Sequence, residues 1–397
     1  MTSSVARSRL IGVLAVVLIA TACGPPAGTP SNHVASRAGP TLYFPPVTGA
    51  WEHVDPISVG WERDRLQDVL SYARDQRSSG LVILHEGRIL AEAYWDVPRE
   101  DGTAYADMAD APMPDGSVVE DVASVQKSVV SFLVGVARGK GLLDLGDSVS
   151  THLGAGWSNA SVEQEAAIQL RHLLSMTSGL ATDLSFQQTP GETWMYNTNA
   201  YSRLVPVLEA VTGLSVDAST TEWLTVPTGM THSSWEPRPW VRPGADANRV
   251  GFRTTARDLA RLGILVGSGG RWNGKDLLGD STFLTESLRA SQGLNPSYGL
   301  LWWLNGGSRV LGQWVSSGAA RPTGSNAAEE LVLGMLIPTA PDDLVAAQGA
   351  LGRKLYIVTS LDLIVTRLGD RPETEFNAEL WRRLMAASPD RYGVPSN

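Results

Sequence analysis

The segment that most constrains this chain is residues 124–127, Ser-Val-Gln-Lys, at the start of an apolar run. The run, residues 128–137, contains no charged side chain and is followed by Gly139. This pattern predicts a buried helix that ends near that glycine. Three residues are just under one helical turn, so Ser124 and Lys127 are expected to lie side by side on one face.

A serine beside a buried lysine is a pair suited to nucleophilic chemistry. The serine hydroxyl holds its proton tightly, whereas a desolvated amine can be neutral and accept that proton. The free N–H groups and the dipole of a helix start also favour negative charge near Ser124. Lys127 alone among the four lysines has a serine three residues before it. The alternative is a solvated helix start, with Ser124 as its cap and Lys127 on the surface.

The composition indicates a large folded domain and argues against a nucleic-acid surface. With 397 residues, 43% of them hydrophobic, the chain can bury a core large enough for two lobes. The formal net charge is −9 and there is no basic run, so no nucleic-acid partner is expected. The six histidines lack metal-ligand spacing, so no metal is expected, and His172 is interpreted as structural.

The N-terminus predicts a bacterial lipoprotein signal, assigned to residues 1–23. Arg7 and Arg9 precede an apolar stretch, residues 10–20, that is too short for an ordinary membrane span. The sequence Ala-Thr-Ala-Cys at 20–23 resembles a lipobox, in which the cysteine carries the lipid. Plain signal-peptide cleavage is the alternative.

Cys23 is the only cysteine, which excludes an internal disulfide and suits a lipid attachment point. We therefore expect an extracytoplasmic protein anchored to the cell membrane by lipid at Cys23. Residues 24–50, rich in Pro, Gly, Ser and Thr, are predicted to be a flexible tether. The folded domain is expected over residues 51–397.

Hydrophobic patterning predicts strands at both ends of the domain and helices in the middle. The expected elements are a helix at 61–77, a hairpin at 81–95, a polar surface loop at 100–116, a largely helical stretch at 121–290, strands at 298–304, 331–337, 354–358 and 362–367, and a helix at 375–387.

This order predicts an α+β fold, an antiparallel β-sheet flanked by helices with an inserted all-helical lobe. The sheet lobe is assigned to residues of about 60–120 and 295–387. The helical lobe is assigned to about 121–294.

Several segments in the right order resemble the serine β-lactamase-like superfamily, in particular class C β-lactamases, esterases of that fold and 6-aminohexanoate-oligomer hydrolases. Residues 121–128 are similar to its nucleophile box, and residues 168–180, 190–196, 251–260 and 298–303 resemble further family segments. The resemblance covers about residues 60–385. It implies the β-lactamase/transpeptidase-like fold and a covalent acyl-enzyme, with Ser124 as nucleophile and Lys127 and Tyr196 in proton transfer.

Two family elements are altered in this chain. The Tyr-x-Asn motif ends in Thr198 here, so Thr198 and Asn199 are the candidate substrate contacts, with Asn197 as the alternative to Asn199. The Lys-Thr-Gly strand corresponds to residues 347–353, where only Gly349 is kept, as a point of close substrate approach. The backbone N–H groups of Ser124 and Ala350 would form the oxyanion hole, which needs no particular side chain.

The absence of the lysine of the Lys-Thr-Gly strand changes the class of substrate that we expect. A penicillin-type carboxylate would lose its usual partner, unless Arg353 replaces the missing lysine. We therefore expect a serine hydrolase without metal or organic cofactor, acting on a small ester or amide rather than on a β-lactam. The alternatives are a D,D-peptidase or β-lactamase, or a catalytically silent envelope protein that only binds its ligand.

Overall fold

The computed structural model describes residues 42–241, 249–311 and 331–388, which belong to one compact unit. The predicted signal peptide, Cys23 and most of the predicted tether lie outside these residues. The helices are α1 (Arg63–Asp75), α2 (Ala104–Met108), α3 (Gln126–Gly139), α4 (Val149–Leu153), α5 (Val162–Ala166), α6 (Leu170–Leu174), α7 (Thr198–Tyr201), α8 (Leu204–Thr212), α9 (Val216–Thr220), α10 (Val226–Thr228), α11 (Ala256–Gly267), α12 (Ser281–Ser287) and α13 (Phe376–Ala387). The strands are β1 (Ser78–His85), β2 (Arg88–Tyr94), β3 (Glu120–Asp121), β4 (Ser234–Pro237), β5 (Val250–Thr254), β6 (Arg271–Trp272), β7 (Lys275–Asp276), β8 (Trp303–Leu304), β9 (Arg309–Leu311), β10 (Leu331–Leu333), β11 (Val345–Gly349), β12 (Arg353–Val358) and β13 (Leu363–Gly369).

The main sheet joins the two ends of the described chain. Its six strands run in the order β2-β1-β13-β12-β11-β8, and each neighbouring pair is antiparallel. The N-terminal hairpin β1–β2 turns at Gly87, whose φ of 81° suits a glycine. The predicted sheet of distant segments, flanked by helices, is confirmed.

Helices cover both faces of this sheet. On one face, α13 packs through Trp381 against Tyr356 of β12, with ring centroids 5.5 Å apart. On the other face, α11 lies so close that a Cβ at Gly263 would come within 2.6 Å of Ile364 on β13. The sheet is therefore buried on both sides, which explains why β12 and β13 are apolar along most of their length.

The inserted lobe is organised around α3. All residues of this helix from 126 to 137 are buried, which confirms the burial predicted from its uncharged sequence. Two hydroxyls of α3 bond to the segment just before β8. Ser128 donates to the carbonyl of Leu301, and Ser131 donates to the carbonyl of Leu300. The lobe is not entirely helical, because it also contains the small sheet β3-β5-β4 and the hairpin β6–β7.

Several predicted boundaries are wrong. The stretch at 100–116 is not simply a surface loop, since it contains α2, which buries Tyr105 and Met108. The predicted tether extends too far, because the N–H of Tyr43 donates to Glu86 and Arg261 donates to the carbonyls of the prolines at 45 and 46.

Two predicted strands also differ from the structure. Of residues 298–304, only the last two form a strand, β8. The strand predicted at 331–337 corresponds to β10, which pairs with β9 outside the main sheet. Among the described residues, no helix is long and apolar enough to cross a membrane.

Candidate active site

Ser124 lies in a tight turn between β3 and α3. A single turn of 3₁₀-helix, Ala123–Val125, leads directly into α3. Ala123 has a left-handed backbone with φ of 51°, which costs energy for a residue with a Cβ. The carboxylate of Asp121 accepts the N–H of Ala123 at 2.8 Å and so holds the turn. The turn leaves Ser124 half-buried at the start of the buried helix.

Lys127 reaches back to this serine from within the protein. Its Nζ lies 3.0 Å from the Oγ of Ser124, and the residue is only 2% exposed. Within the described residues, no carboxylate forms an ion pair with Lys127. Burial lowers the pKa of Lys127 to about 7, and the positive charge of Arg238 adds to this effect. A large share of the amine is therefore neutral near pH 7 and able to accept a proton.

Tyr196 completes this group. Its ring centroid lies 4.9 Å from the Nζ of Lys127, and its hydroxyl interacts with the side chain of Ser124. Burial raises the pKa of the Tyr196 phenol well above its ordinary value, and the interaction with Ser124 only partly opposes the rise. The phenol is thus protonated at neutral pH. Of the two groups beside Ser124, the lysine is the better proton acceptor and the tyrosine the better donor.

Aromatic rings fix the position of Tyr196. Trp303 stacks on it with centroids 5.9 Å apart and an interplanar angle of 19°. Tyr298 meets both rings edge-on, at 6.2 Å from Tyr196 and 4.9 Å from Trp303. Trp302, the neighbour of Trp303, is fully buried. Both tryptophans therefore belong to the core, and the ring of Trp303 packs against the tyrosine.

The end of β11 packs directly on the turn that holds Ser124. A Cβ at Gly349 would lie 2.3 Å from the carbonyl oxygen of Val122 and 3.3 Å from the backbone nitrogen of Ser124. Contact between two parts of the chain thus requires a glycine here, and its role in close substrate approach stays a prediction. Ala350 follows it and is exposed. The oxyanion hole formed by the N–H groups of Ser124 and Ala350 stays a prediction.

The resemblance to the family's Lys-Thr-Gly strand predicted a single strand at residues 347–353, and this prediction is wrong. β11 ends at Gly349, a 3₁₀ turn spans Ala350–Gly352, and β12 begins at Arg353. Gln348 pairs across the sheet with Lys354, and Gly349 pairs with Arg353. Neighbouring residues of a strand alternate between faces, so Gln348 and Lys354 point away from the Ser124 turn that Gly349 contacts. Lys354 therefore does not replace the lysine of the family strand.

The prediction that Arg353 supplies a substrate-binding cation is wrong. Its side chain is fully buried and forms an ion pair of 2.9 Å with Glu120, which is also fully buried. Its Nη1 donates to the carbonyl of Ala350. A guanidinium already neutralised inside the protein is not available to a carboxylate that arrives from solvent.

The two asparagines after Tyr196 hold a loop. Asn197 is buried, caps α7 through its side-chain oxygen and donates to the carbonyls of Leu180 and Ala181. The amide nitrogen of Asn199 donates to the carbonyl of Thr182 at 2.6 Å, and the contact of Asn199 with a substrate stays a prediction. Thr198 is half-buried at the first position of α7, and its contact with a substrate stays a prediction.

Sequence reasoning missed a buried hydrogen-bond network beside the Ser124 turn. Arg238, just after β4, donates to both carboxylate oxygens of Asp121 at 2.6 and 2.7 Å and to the side-chain oxygen of Gln126 at 2.8 Å. Asp121 and Gln126 flank Ser124 in sequence and lie in the segment similar to the family's nucleophile box. Arg238 is more than 100 residues away, and no local pattern marks it.

Two further expectations concern histidine and metal. The ring Nδ1 of His172 accepts the N–H of Gln169 at 3.0 Å and so caps α6, in line with a structural role. In the part of the chain that the structure describes, no group of three or more His, Cys, Asp or Glu side chains is arranged to hold a metal ion.

Comparison with known proteins gives one family. The model of the Beta-lactamase family matches residues 63–386. An uncharacterized protein of Alkalihalophilus pseudofirmus is 24% identical over 253 residues, which cover 58% of this chain and 71% of that protein.

Solved structures give the same fold at low identity. A proposed 6-aminohexanoate-dimer hydrolase from Bacillus anthracis superposes with a TM-score of 0.59 at 15% identity, covering 90% of this chain and 91% of that one. EstCE1, described as a hydrolase with promiscuous acyltransferase activity, gives 0.54 at 14% identity over 82% of this chain and 97% of its own.

Proposed function

The chain belongs to the β-lactamase family, and we propose that it is a serine hydrolase that cleaves an ester or amide through an acyl-enzyme. The observation that carries the proposal is the 3.0 Å contact between the Oγ of Ser124 and the Nζ of a buried Lys127. A nucleophile within hydrogen-bond distance of a base of suitable pKa is what acyl transfer requires. The hydrolases among its structural neighbours support the reaction class.

The proposed reaction begins with the neutral form of Lys127. Ser124 attacks the substrate carbonyl carbon while its proton passes to the Nζ of Lys127. The resulting oxyanion is held by the N–H groups of Ser124 and Ala350. The protonated lysine then returns the proton, through the phenol of Tyr196, to the leaving alcohol or amine, which departs and leaves the acyl group on Ser124.

Water completes the cycle. Its proton passes to the same lysine–tyrosine pair, and its oxygen attacks the acyl carbon. The second oxyanion collapses, the ester bond to Ser124 breaks, and the proton returns to the Oγ. The carboxylic acid is released and the enzyme regains its starting protonation state, so no cofactor is consumed.

A neutral substrate suits the surroundings of Ser124 better than an anionic one. The family strand here offers Ala347 in place of a lysine, Gln348 faces the other side of the sheet, and Arg353 is paired with Glu120. A charge-assisted hydrogen bond contributes about 1.5–3 kcal/mol, so its absence costs roughly ten- to a hundredfold in kcat/KM. We therefore propose esterase or simple amidase activity ahead of β-lactamase activity.

The test is covalent labelling by a fluorophosphonate probe. Wild type should be labelled at Ser124, and Ser124→Ala should not be labelled. Ser281→Ala, which changes an exposed serine on α12, is the matched control and should label like wild type. Equal labelling of Ser124→Ala would show that the nucleophile is another residue. Absence of labelling in wild type would favour the silent binding protein.

We also propose that the enzyme works outside the cytoplasm, tethered to the membrane by lipid on Cys23. The support is sequence alone, namely a single cysteine directly after a short apolar segment. Its substrate would then be a small molecule that reaches the cell envelope.

A further inference from the structure

A small cavity lies beside the start of α3, apart from the Ser124 hydroxyl. Its volume is about 120 Å³, and its lining includes Gln126, Tyr201, Arg203, Trp235 and Arg249. Pockets that enclose drug-sized ligands measure about 300–1,000 Å³. Water occupies about 30 Å³ per molecule in the liquid, so this cavity has room for one small group and not for a whole acyl substrate.

The cavity carries unpaired positive charge. Within the described residues, neither Arg203 nor Arg249 has an ion-pair or hydrogen-bond partner for its guanidinium. Arg203 is half-buried and Arg249 is exposed. None of the described residues that line the cavity is acidic. Two arginines that meet at one cavity without a carboxylate between them give it a positive potential, which favours an anion from solvent.

We propose that this cavity binds a small oxyanion, a sulfate, phosphate or carboxylate group, between Arg203 and Arg249. Guanidinium groups bind these planar or tetrahedral oxyanions through two N–H donors at once. Arg203 precedes the first residue of α8, so the N-terminal end of that helix adds positive potential. Trp235 supplies an apolar wall that keeps the site partly shielded from solvent.

The position of the cavity couples it to the catalytic lysine. Tyr201 lines the cavity, and its ring centroid lies 4.7 Å from the Nζ of Lys127. Apart from Tyr201, the titratable and charged groups around this amine are Ser124, Tyr196 and Arg238 with its partner Asp121. An anion beyond Tyr201 would favour the ammonium form of Lys127. Linkage is reciprocal, so protonation of Lys127 would equally strengthen anion binding.

The test is calorimetric titration with sulfate, whose charge stays constant from pH 6 to pH 8, at fixed ionic strength. Wild type should bind sulfate saturably and more tightly at pH 6 than at pH 8. Arg203→Gln should weaken binding about tenfold or more. Arg289→Gln, which removes an exposed arginine on the loop after α12, is the matched control and should bind like wild type.

Further variants keep the outcome interpretable. Arg203→Lys retains the charge without the planar donor pair and should bind with intermediate affinity, and circular dichroism reports whether each variant folds. Lys127→Met should retain sulfate binding but lose its pH dependence, whereas an unchanged pH dependence would refute the coupling. Acetate and methyl phosphate, titrated in the same way, separate carboxylate from phosphoryl ligands.

Absence of saturable binding of all three anions to wild type would overturn the proposal, as would equal losses in Arg203→Gln and Arg289→Gln. None of these measurements requires hydrolytic activity, so the anion site and the proposed function succeed or fail independently.

Discussion

Lys127→Met is expected to abolish catalysis and at the same time to stabilise the protein. In the folded state the pKa of Lys127 is lowered from 10.5 to about 7 because the amine is desolvated. In the unfolded chain the amine returns to its ordinary pKa. At a given pH below 10.5 the unfolded state therefore binds more protons than the folded state. Folding releases these protons, and this release reduces the free energy of unfolding.

The size of this cost follows from the difference between the two pKa values. A shift of one pKa unit corresponds to about 1.4 kcal/mol, so the cost approaches about 5 kcal/mol at pH 6 and falls to about 2 kcal/mol at pH 9. Methionine has a similar volume and no charge, so it removes this cost while losing one hydrogen bond to Ser124, worth about 1 kcal/mol. The net stabilisation should be about 3–4 kcal/mol at pH 6 and about 1 kcal/mol at pH 9.

Urea denaturation of wild type and Lys127→Met at pH 6, 7.5 and 9 measures this difference. Lys354, also buried with its pKa lowered to about 7, contributes equally to both proteins and cancels. Lys275→Met, at an exposed lysine, is the control and should change stability little at any pH. A Lys127→Met protein that is less stable than wild type at pH 6, or a difference independent of pH, would refute the neutral-lysine argument.

Four further results are expected. Because the base must be neutral, kcat/KM for an ester should rise with pH through about 7, the pKa of Lys127, and a profile that falls across this range would contradict that role. The kcat/KM for p-nitrophenyl butyrate should exceed that for nitrocefin on the same preparation, and a clear preference for nitrocefin would mean that another cation binds its carboxylate. Gly349→Ala should lower esterase activity at least tenfold, since its Cβ would meet the Val122 carbonyl at 2.3 Å and displace the Ser124 turn, whereas Gly293→Ala, where no atom lies within 4 Å, should not. Cys23→Ala should release the protein from membranes or leave an uncleaved precursor, and metabolic labelling that detects no lipid on wild type would exclude the anchor.

Local patterns in the sequence were sufficient for much of the fold. The uncharged run after Lys127 predicted a buried helix, and α3 is buried along residues 126–137. Hydrophobic patterning predicted the hairpin at 81–95, and β1 and β2 pair around a short turn at Gly87. Both features depend on residues close together in the chain. Predictions were weaker at 298–304, where apolar aromatic residues suggested a strand but pack around Tyr196 instead.

The sequence by itself placed Ser124 and Lys127 together, because helical spacing alone determines which side chains share a face. Only the tertiary structure decided what surrounds that pair. Burial beneath the rings of Tyr196 and Tyr201 lowers the pKa of Lys127, and these rings arrive from another part of the chain. Long-range packing also decided which carboxylate pairs with Arg353, since Glu120 lies 233 residues before it. Desolvation and ion pairing depend on which distant segments meet, and a periodic pattern in sequence carries no information about that.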